Sequence, residues 1–280
     1  MCKKELPKTK DYLYMNTRLL ERKLFEYFFE NGSSKDCVKA IRAYQNKDGG
    51  FGNGIELDLL CPDSTAIGAE TALYYFDLLD SPDRKIFEGI MDWVKKNQSK
   101  EGIIPHPPKN LKNYPHQPWW EKEDNTRIFS ILGYLAKAGI TNTEVTAKAK
   151  SYLEEESFPE KLGFYDYPYL LFLRYLGETK EEKGLLDKLL TKVPSVFEEH
   201  SHHFPLVSRY WYHLIDLMDQ KMVNREAKKF LQAIEEDGGM PTIFEELPWW
   251  RAIFTLDGLI IIKKHTRLSF LLEKNEINSR

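Results

Sequence analysis

Gln45-Asn46-Lys47-Asp48-Gly49-Gly50-Phe51-Gly52 is the stretch on which the reading of this 280-residue chain turns. It recurs in weaker form as Gln98-Ser99-Lys100-Glu101-Gly102, as Lys161-Leu162-Gly163-Phe164, and as Gln232 running to Glu236-Asp237-Gly238-Gly239. Each glycine is followed by a loop, then a proline or aromatic pair, then an apolar pattern of helical period. Those entries read Cys61-Pro62-Asp63-Ser64, Gln117-Pro118-Trp119-Trp120, Tyr165-Asp166-Tyr167-Pro168 and Leu247-Pro248-Trp249-Trp250, and Phe204-Pro205 opens one more without a preceding glycine pair. A fixed repeat of this kind sets the whole fold. Its unit is helix, glycine loop, helix, with Gly49 and Gly50 expected at positive φ and Phe51 expected to plug the space behind the turn.

Working outward, the segments sort into two sets. Those at roughly 10–31, 64–80, 121–138, 167–177, 206–220 and 250–264 are apolar on most sides, as in Ile128, Ile131, Leu132 and Leu135. Those at roughly 35–46, 82–98, 143–155, 179–192, 224–236 and 267–274 carry one apolar stripe, as in Ile86, Ile90, Trp93 and Val94 against Lys85, Glu88, Asp92 and Lys96. An all-round apolar helix is buried and a striped one lies at the surface. Six of each in alternation predict an all-α fold, an (α/α)6 toroid of six inner and six outer helices forming one domain over 1–280. Expected boundaries are Ser34, Ser81 before Pro82, and Asn224 at helix starts, with Gly139 at a helix end. Either Asp63 or Ser64 is expected to cap the helix that follows.

Composition narrows the function. Lys and Arg number 40 against 43 Asp and Glu, a formal net charge of -3, and no basic run interleaved with aromatics offers a nucleic-acid surface. No apolar stretch is long enough to predict a transmembrane segment. The start, Met1-Cys2-Lys3-Lys4-Glu5, lacks an apolar leader core, and the sparse set Cys2, Cys37 and Cys61 forms no C-x-x-C, so a cytoplasmic setting without disulfides is expected. Aromatic residues reach 13%, with four of the six Trp in two adjacent pairs.

The stretch from Gln45 to Gly52, with Pro62-Asp63-Ser64-Thr65-Ala66 and a helix after it, resembles the glycine-rich repeat of the protein prenyltransferase β subunits and squalene–hopene cyclases. The likeness is sharpest over about 45–80 and implies the same toroid, with a ligand in its central cavity. That family's specialised motifs are not matched. Asp58-Leu59-Leu60-Cys61 has the wrong spacing for an Asp-x-Cys zinc pair, and Glu56-Leu57-Asp58 is not an Asp-x-Asp-Asp acid. Asp77-Leu78-Leu79-Asp80 reads as a solvated pair at a helix end and not as a magnesium site. His200-Ser201-His202-His203 lacks the ordered second ligand pair that zinc needs, so no metal is assigned and no cofactor is named.

Entries to inner helices gather at one mouth of a toroid, where helix N-termini expose N–H groups. Three groups of candidates stand there. Glu56, Asp58 and Asp63, with Glu70 beyond them, are the acid/base candidates. Trp119, Trp120, Tyr165, Tyr167, Trp249 and Trp250 are the aromatic ones; adjacent Trp side chains point apart, so one of each pair is expected to pack and the other to line the cavity. The polar group is His106, His116, Arg127, His202, His203, Arg209 and Arg251, with the arginines placed to fork onto an anionic head or to pair with the acids. Three functions fit. The cavity holds an isoprenoid, or a sugar cleaved or eliminated by two of Glu56, Asp58, Asp63 and Glu245 with Trp stacking, or a non-catalytic ligand or protein partner.

Overall fold

The structure, a computed structural model, describes residues 6–80, 83–122, 124–155, 161–265 and 268–269. Met1 to Glu5, the Ser81–Pro82 cap and most of the 267–274 helix lie outside them. The described residues are helical, with no strand among them and only two isolated bridges, Gln45 with Phe51 and Leu59 with His116. Twelve α-helices are described: α1 (Leu6–Asn16), α2 (Leu19–Phe29), α3 (Ser34–Arg42), α4 (Ala66–Leu78), α5 (Arg84–Asn97), α6 (Arg127–Lys137), α7 (Thr143–Glu155), α8 (Tyr167–Leu176), α9 (Lys180–Leu190), α10 (Val193–Glu199), α11 (Gln220–Ala233) and α12 (Trp250–Lys264). Two compact units hold them: Ile41–Val196, and Met1–Ala40 together with Phe197–Arg280.

In the Ile41–Val196 unit, α4, α6 and α8 pack side by side and bury nearly all of their residues. α5 turns Ile86, Phe87, Ile90, Met91, Trp93 and Val94 inward, each such burial contributing roughly 1.5–3 kcal/mol before entropy is counted. Asp83 starts α5 by accepting from Ile86 N–H at 3.3 Å. The α4 cap is Thr65, whose Oγ1 accepts from Gly68 N–H at 3.0 Å, and neither Asp63 nor Ser64 fills that place.

The glycine loops share one backbone device. Gly49 N–H donates to Asn46 C=O and Asn46 N–H to Gly50 C=O; Gly102 with Ser99 and Gly238 with Glu235 repeat the pattern. Gly49, Gly102 and Gly238 have φ of 93°, 96° and 93°, a region open to glycine and strained for other residues. Gly50, by contrast, is not at positive φ. What demands glycine there is space, since a Cβ would sit 2.6 Å from the Ser64 Cβ and 2.8 Å from the Trp93 indole nitrogen. Phe51 is fully buried, as expected of a plug. Gly163 departs from the pattern, with φ -84° and its N–H bound to the Asp166 carboxylate.

Each of these three glycines leans on the backbone of a striped helix. Gly49 abuts Gly89 of α5, Gly102 abuts Lys148 of α7, and Gly238 abuts Lys8 and Thr9 of α1. The likeness extends to side chains: Asn97 donates to Trp93 C=O at 2.8 Å and Asn16 to Tyr12 C=O at 2.8 Å. Trp93 faces Gly50 as Tyr12 faces Gly239. α1 therefore takes the part of a surface helix.

The 10–31 expectation is corrected accordingly. Two helices stand there, because Thr17 bonds back to Leu13 C=O and Arg18 turns extended, with Glu21 receiving the Arg18 N–H at 3.1 Å. The expected 206–220 helix is also absent. Short 3-10 turns, Pro205–Val207 and Tyr212–Leu217, replace it. Phe204 sits at φ 47°, and Ser208 is extended with its hydroxyl returned to Pro205 C=O at 2.7 Å, which breaks the ladder. Finally, Asp219 and not Asn224 begins α11, accepting from Lys221 and Met222 N–H groups, whereas Gly139 does end α6, at φ 77°.

Candidate functional site

Two loops of the Ile41–Val196 unit build the site's first half. Gln117 N–H donates to Asp58 C=O at 3.1 Å and Leu60 N–H to Pro115 C=O at 3.0 Å, so residues 58–60 run against 115–117. That pairing seats Trp120 in the apolar cluster of Leu59, Cys61, Ile67 and Leu111. From there its indole N–H reaches the Asp58 Oδ1 at 2.9 Å. His106 holds the Trp120 carbonyl at 2.8 Å through Nε2, and burial pushes its imidazole below its usual pKa, toward the neutral form. Glu56, two residues earlier, accepts from Thr71 Oγ1 of α4 at 2.9 Å. Both carboxylates are nearly buried, at 6% and 7% exposure.

The second half joins three buried helices. Arg127, opening α6, donates to Glu70 of α4 at 2.7 Å and to Asp124 at 2.6 Å. Tyr167, opening α8, receives another Arg127 N–H and donates its own hydroxyl to Glu70 Oε1 at 2.6 Å. Burial alone would lower the Arg127 pKa, but Glu70, Tyr167 and Asp124 raise it well above the ordinary value. Burial alone would raise Asp124, and Arg127 holds it below the ordinary value instead. A charge removed from water requires such partners.

Tyr165, edge-on to Phe164, lies within the electrostatic reach of both groups. Burial raises its phenol pKa; Arg127 pulls it down, and Asp58 and Glu56 push it up. Yet the residue is 52% exposed. The half-exposed Tyr165 ring thus feels the charges of Glu56, Asp58 and Arg127. Hydroxyl-bearing ligands suit it, since carboxylates accept hydrogen bonds and a phenol ring offers a flat face.

Of the other sequence candidates, Asp63 accepts from the Asn110 backbone and side-chain amides, in a separate 860 Å³ cleft shared with Lys47, Trp93 and Lys109. Trp119 is 44% exposed beside buried Trp120, and Trp249 is 41% exposed beside buried Trp250. The second Trp of each pair is thus the packing one. The Met1–Ala40 and Phe197–Arg280 unit contains Arg209, which donates to Asp257 at 2.8 Å and lies 5.3 Å over the Trp250 ring. Arg251 binds Glu235, Asp237 and the Met240 carbonyl and covers Tyr12, at the edge of a 680 Å³ cleft that Trp249 also lines. Arg127, Arg209 and Arg251 are therefore all paired with acids.

Sequence reasoning missed Thr71, Asp124 and Asp257. A usable signal existed for Asp257, as for Glu70: a single acid inside an otherwise apolar helix must find a partner. Among the described residues no group of three or more His, Cys, Asp or Glu side chains is arranged for a metal ion, and the His200, His202 and His203 rings lie near one another at tilted angles. No described helix is long and apolar enough to cross a membrane. No protein-family model, curated protein or solved structure matches the chain.

Proposed function

We propose that the chain is an (α/α)6 toroid and that the Glu56–Asp58–Tyr165 site binds a saccharide. For the toroid, the support is the repeated glycine loop and the helix on which each copy leans. Counting α1 as a surface helix with α3, α5, α7, α9 and α11 gives six, and α2, α4, α6, α8, the 205–217 turns and α12 give six buried segments. The saccharide reading rests on half-exposed Tyr165 in the field of Asp58 and Glu56. The isoprenoid reading that the family resemblance implies asks arginines to hold a polar head. Here they are engaged by carboxylates, and the site carries an excess of acid that repels a diphosphate.

The test is titration of the whole chain with a panel of neutral, amino and uronic oligosaccharides, followed by tyrosine and tryptophan fluorescence, with farnesyl diphosphate as the contrasting probe. Binding of a neutral or amino oligosaccharide that is lost in Tyr165→Ala and Asp58→Asn, with melting unchanged, is the expected result. Binding of farnesyl diphosphate alone would return the site to the isoprenoid reading.

A further inference from the structure

We infer that the 680 Å³ cleft between α1 and the last glycine loop takes an organic cation: an alkylammonium group drawn to Asp11 and Glu236, its aliphatic stem lying on Met15 and Trp249. One opening is lined by all four residues, and none of those proposed for the saccharide lines it. Charge selects the sign of the ligand. Asp11, Glu236 and Asp237 line the cleft against Lys8 and Arg251. Arg251 is engaged by Glu235, Asp237 and the Met240 carbonyl, and Lys10, on which Asp11 acts, is bound to Glu30. Asp11 and Glu236 themselves make no hydrogen bond or ion pair among the described residues. A cation entering the cleft therefore meets two carboxylates without a bound counter-ion, and Lys8 alone opposes it.

The walls suit a charge carried on hydrocarbon. Met15 is 81% exposed and Trp249 41%, both at this cleft; an indole face attracts a cation, and a thioether covers an aliphatic stem. Tyr12 supplies a third contact. The residue is buried, with its ring packed against Gly239 and under the Arg251 guanidinium, yet its hydroxyl makes no hydrogen bond among the described residues. An ammonium N–H donating to that oxygen satisfies it.

The repeat contains its own contrast. A cleft at the first glycine loop is lined by Lys47, Asp48, Trp93 and Asn97, where this one has Glu236, Asp237, Tyr12 and Asn16. Asp48 and Asp237 serve the turn alike, each accepting the N–H of the second glycine, at 3.0 and 2.9 Å. Lys47 and Glu236 share a backbone position and carry opposite charges. The turn thus needs no acid at residue 236, and selection of a cation gives that acid its use.

The experiment is calorimetric titration of the full chain, at low salt, with spermidine, with a lysine-bearing peptide blocked at both ends, and with hexanoate as the anionic contrast. Spermidine or the peptide is expected to bind and hexanoate is not; the tighter of the two cations identifies the source as a free polyamine or a protein side chain. Glu236→Lys should weaken that binding by roughly tenfold or more, and Trp249→Ala by about fivefold. Lys47→Glu, at the matching position of the other loop, should leave it unchanged. Glu236, Trp249 and Lys47 are exposed, so melting temperatures of the three variants should match that of the unaltered chain. Failure of both cations to bind, or hexanoate binding as tightly as they do, overturns the proposal. So does unchanged affinity in Glu236→Lys, or a change in Lys47→Glu as large as the loss in Glu236→Lys, which would mean attraction to the surface at large.

Discussion

Gly239 lies against the ring of Tyr12, so close that a β-carbon at residue 239 would stand 2.4 Å from the Tyr12 Cζ, across 227 positions of chain. The same spatial relation holds between Gly50 and Trp93. The N-terminal helix is therefore bound to the last glycine loop in the way that α5 is bound to the first. The Tyr12 contact is reinforced by Arg251, which covers the ring while its guanidinium holds Glu235 and Asp237 of the loop.

Substitutions at the loops should separate space from conformation. Gly238→Ala meets both obstacles, φ 93° and the Lys8 backbone at under 3 Å, and should cost on the order of 2 kcal/mol or more. Gly139→Ala meets only the first, since nothing lies within 4 Å, and should cost roughly 1 kcal/mol. Chemical denaturation compares them. Equal losses would mean that contact with α1 adds nothing.

Arg127 is predicted to be the most sensitive polar position in the Ile41–Val196 unit. Arg127→Met leaves Glu70 and Asp124 without their cation and should lower stability by about 3–5 kcal/mol. Tyr167→Phe removes only the hydroxyl between Arg127 and Glu70 and should cost about 1–3 kcal/mol. Urea midpoints of the two variants give the order directly.

Acid should weaken the fold through His203. Burial, with His202 and His200 adding to it, lowers its pKa from 6.5 to about 4, so the folded chain favours the neutral ring. The contribution is present above pH 6.5 and is lost as pH falls from there toward 4. Melting curves across that window should decline less steeply in His203→Gln than in the unaltered chain.

Glu226 should act in the opposite sense. It is buried on α11 with Oε2 lacking a hydrogen-bond partner, and burial outweighs Lys229 and Arg225 to raise its pKa above the ordinary 4.5. The fold thus favours the protonated form, and that stability is present below the unfolded pKa and lost as pH rises through the folded one. Glu226→Gln should raise the melting temperature at pH 7 and do little at pH 4. A lower melting temperature at pH 7 would mean that the charge is satisfied in the native fold.

The adjacent tryptophans should give opposite phenotypes. Trp120→Ala removes a buried ring and an indole donor together and should cost about 3–5 kcal/mol. Trp119→Ala, at a half-exposed ring, should stay within roughly 1 kcal/mol. The sequence shows that two neighbouring side chains point apart, but which one is buried depends on the 58–60 and 115–117 pairing.

Much of this protein was readable without coordinates because it is local. A glycine that must adopt positive φ is marked by its own lack of a side chain, so Gln45–Gly52 and its copies at Gly102 and Gly238 announced their turns, and helical periodicity separated α4, α6 and α8 from α5, α7 and α11. Charge placement marked the acids beside the glycine loop. What the sequence left open was every choice made by distant partners. Neither the surface role of α1, nor the 3-10 turns over 205–217, nor the union of Glu70, Arg127 and Tyr167 across 97 positions follows from spacing along the chain. Local rules govern backbone angles and the faces of helices, whereas a buried charge or ring is satisfied by whatever the packed helices bring within about 3 Å of it, and only the tertiary structure decides that.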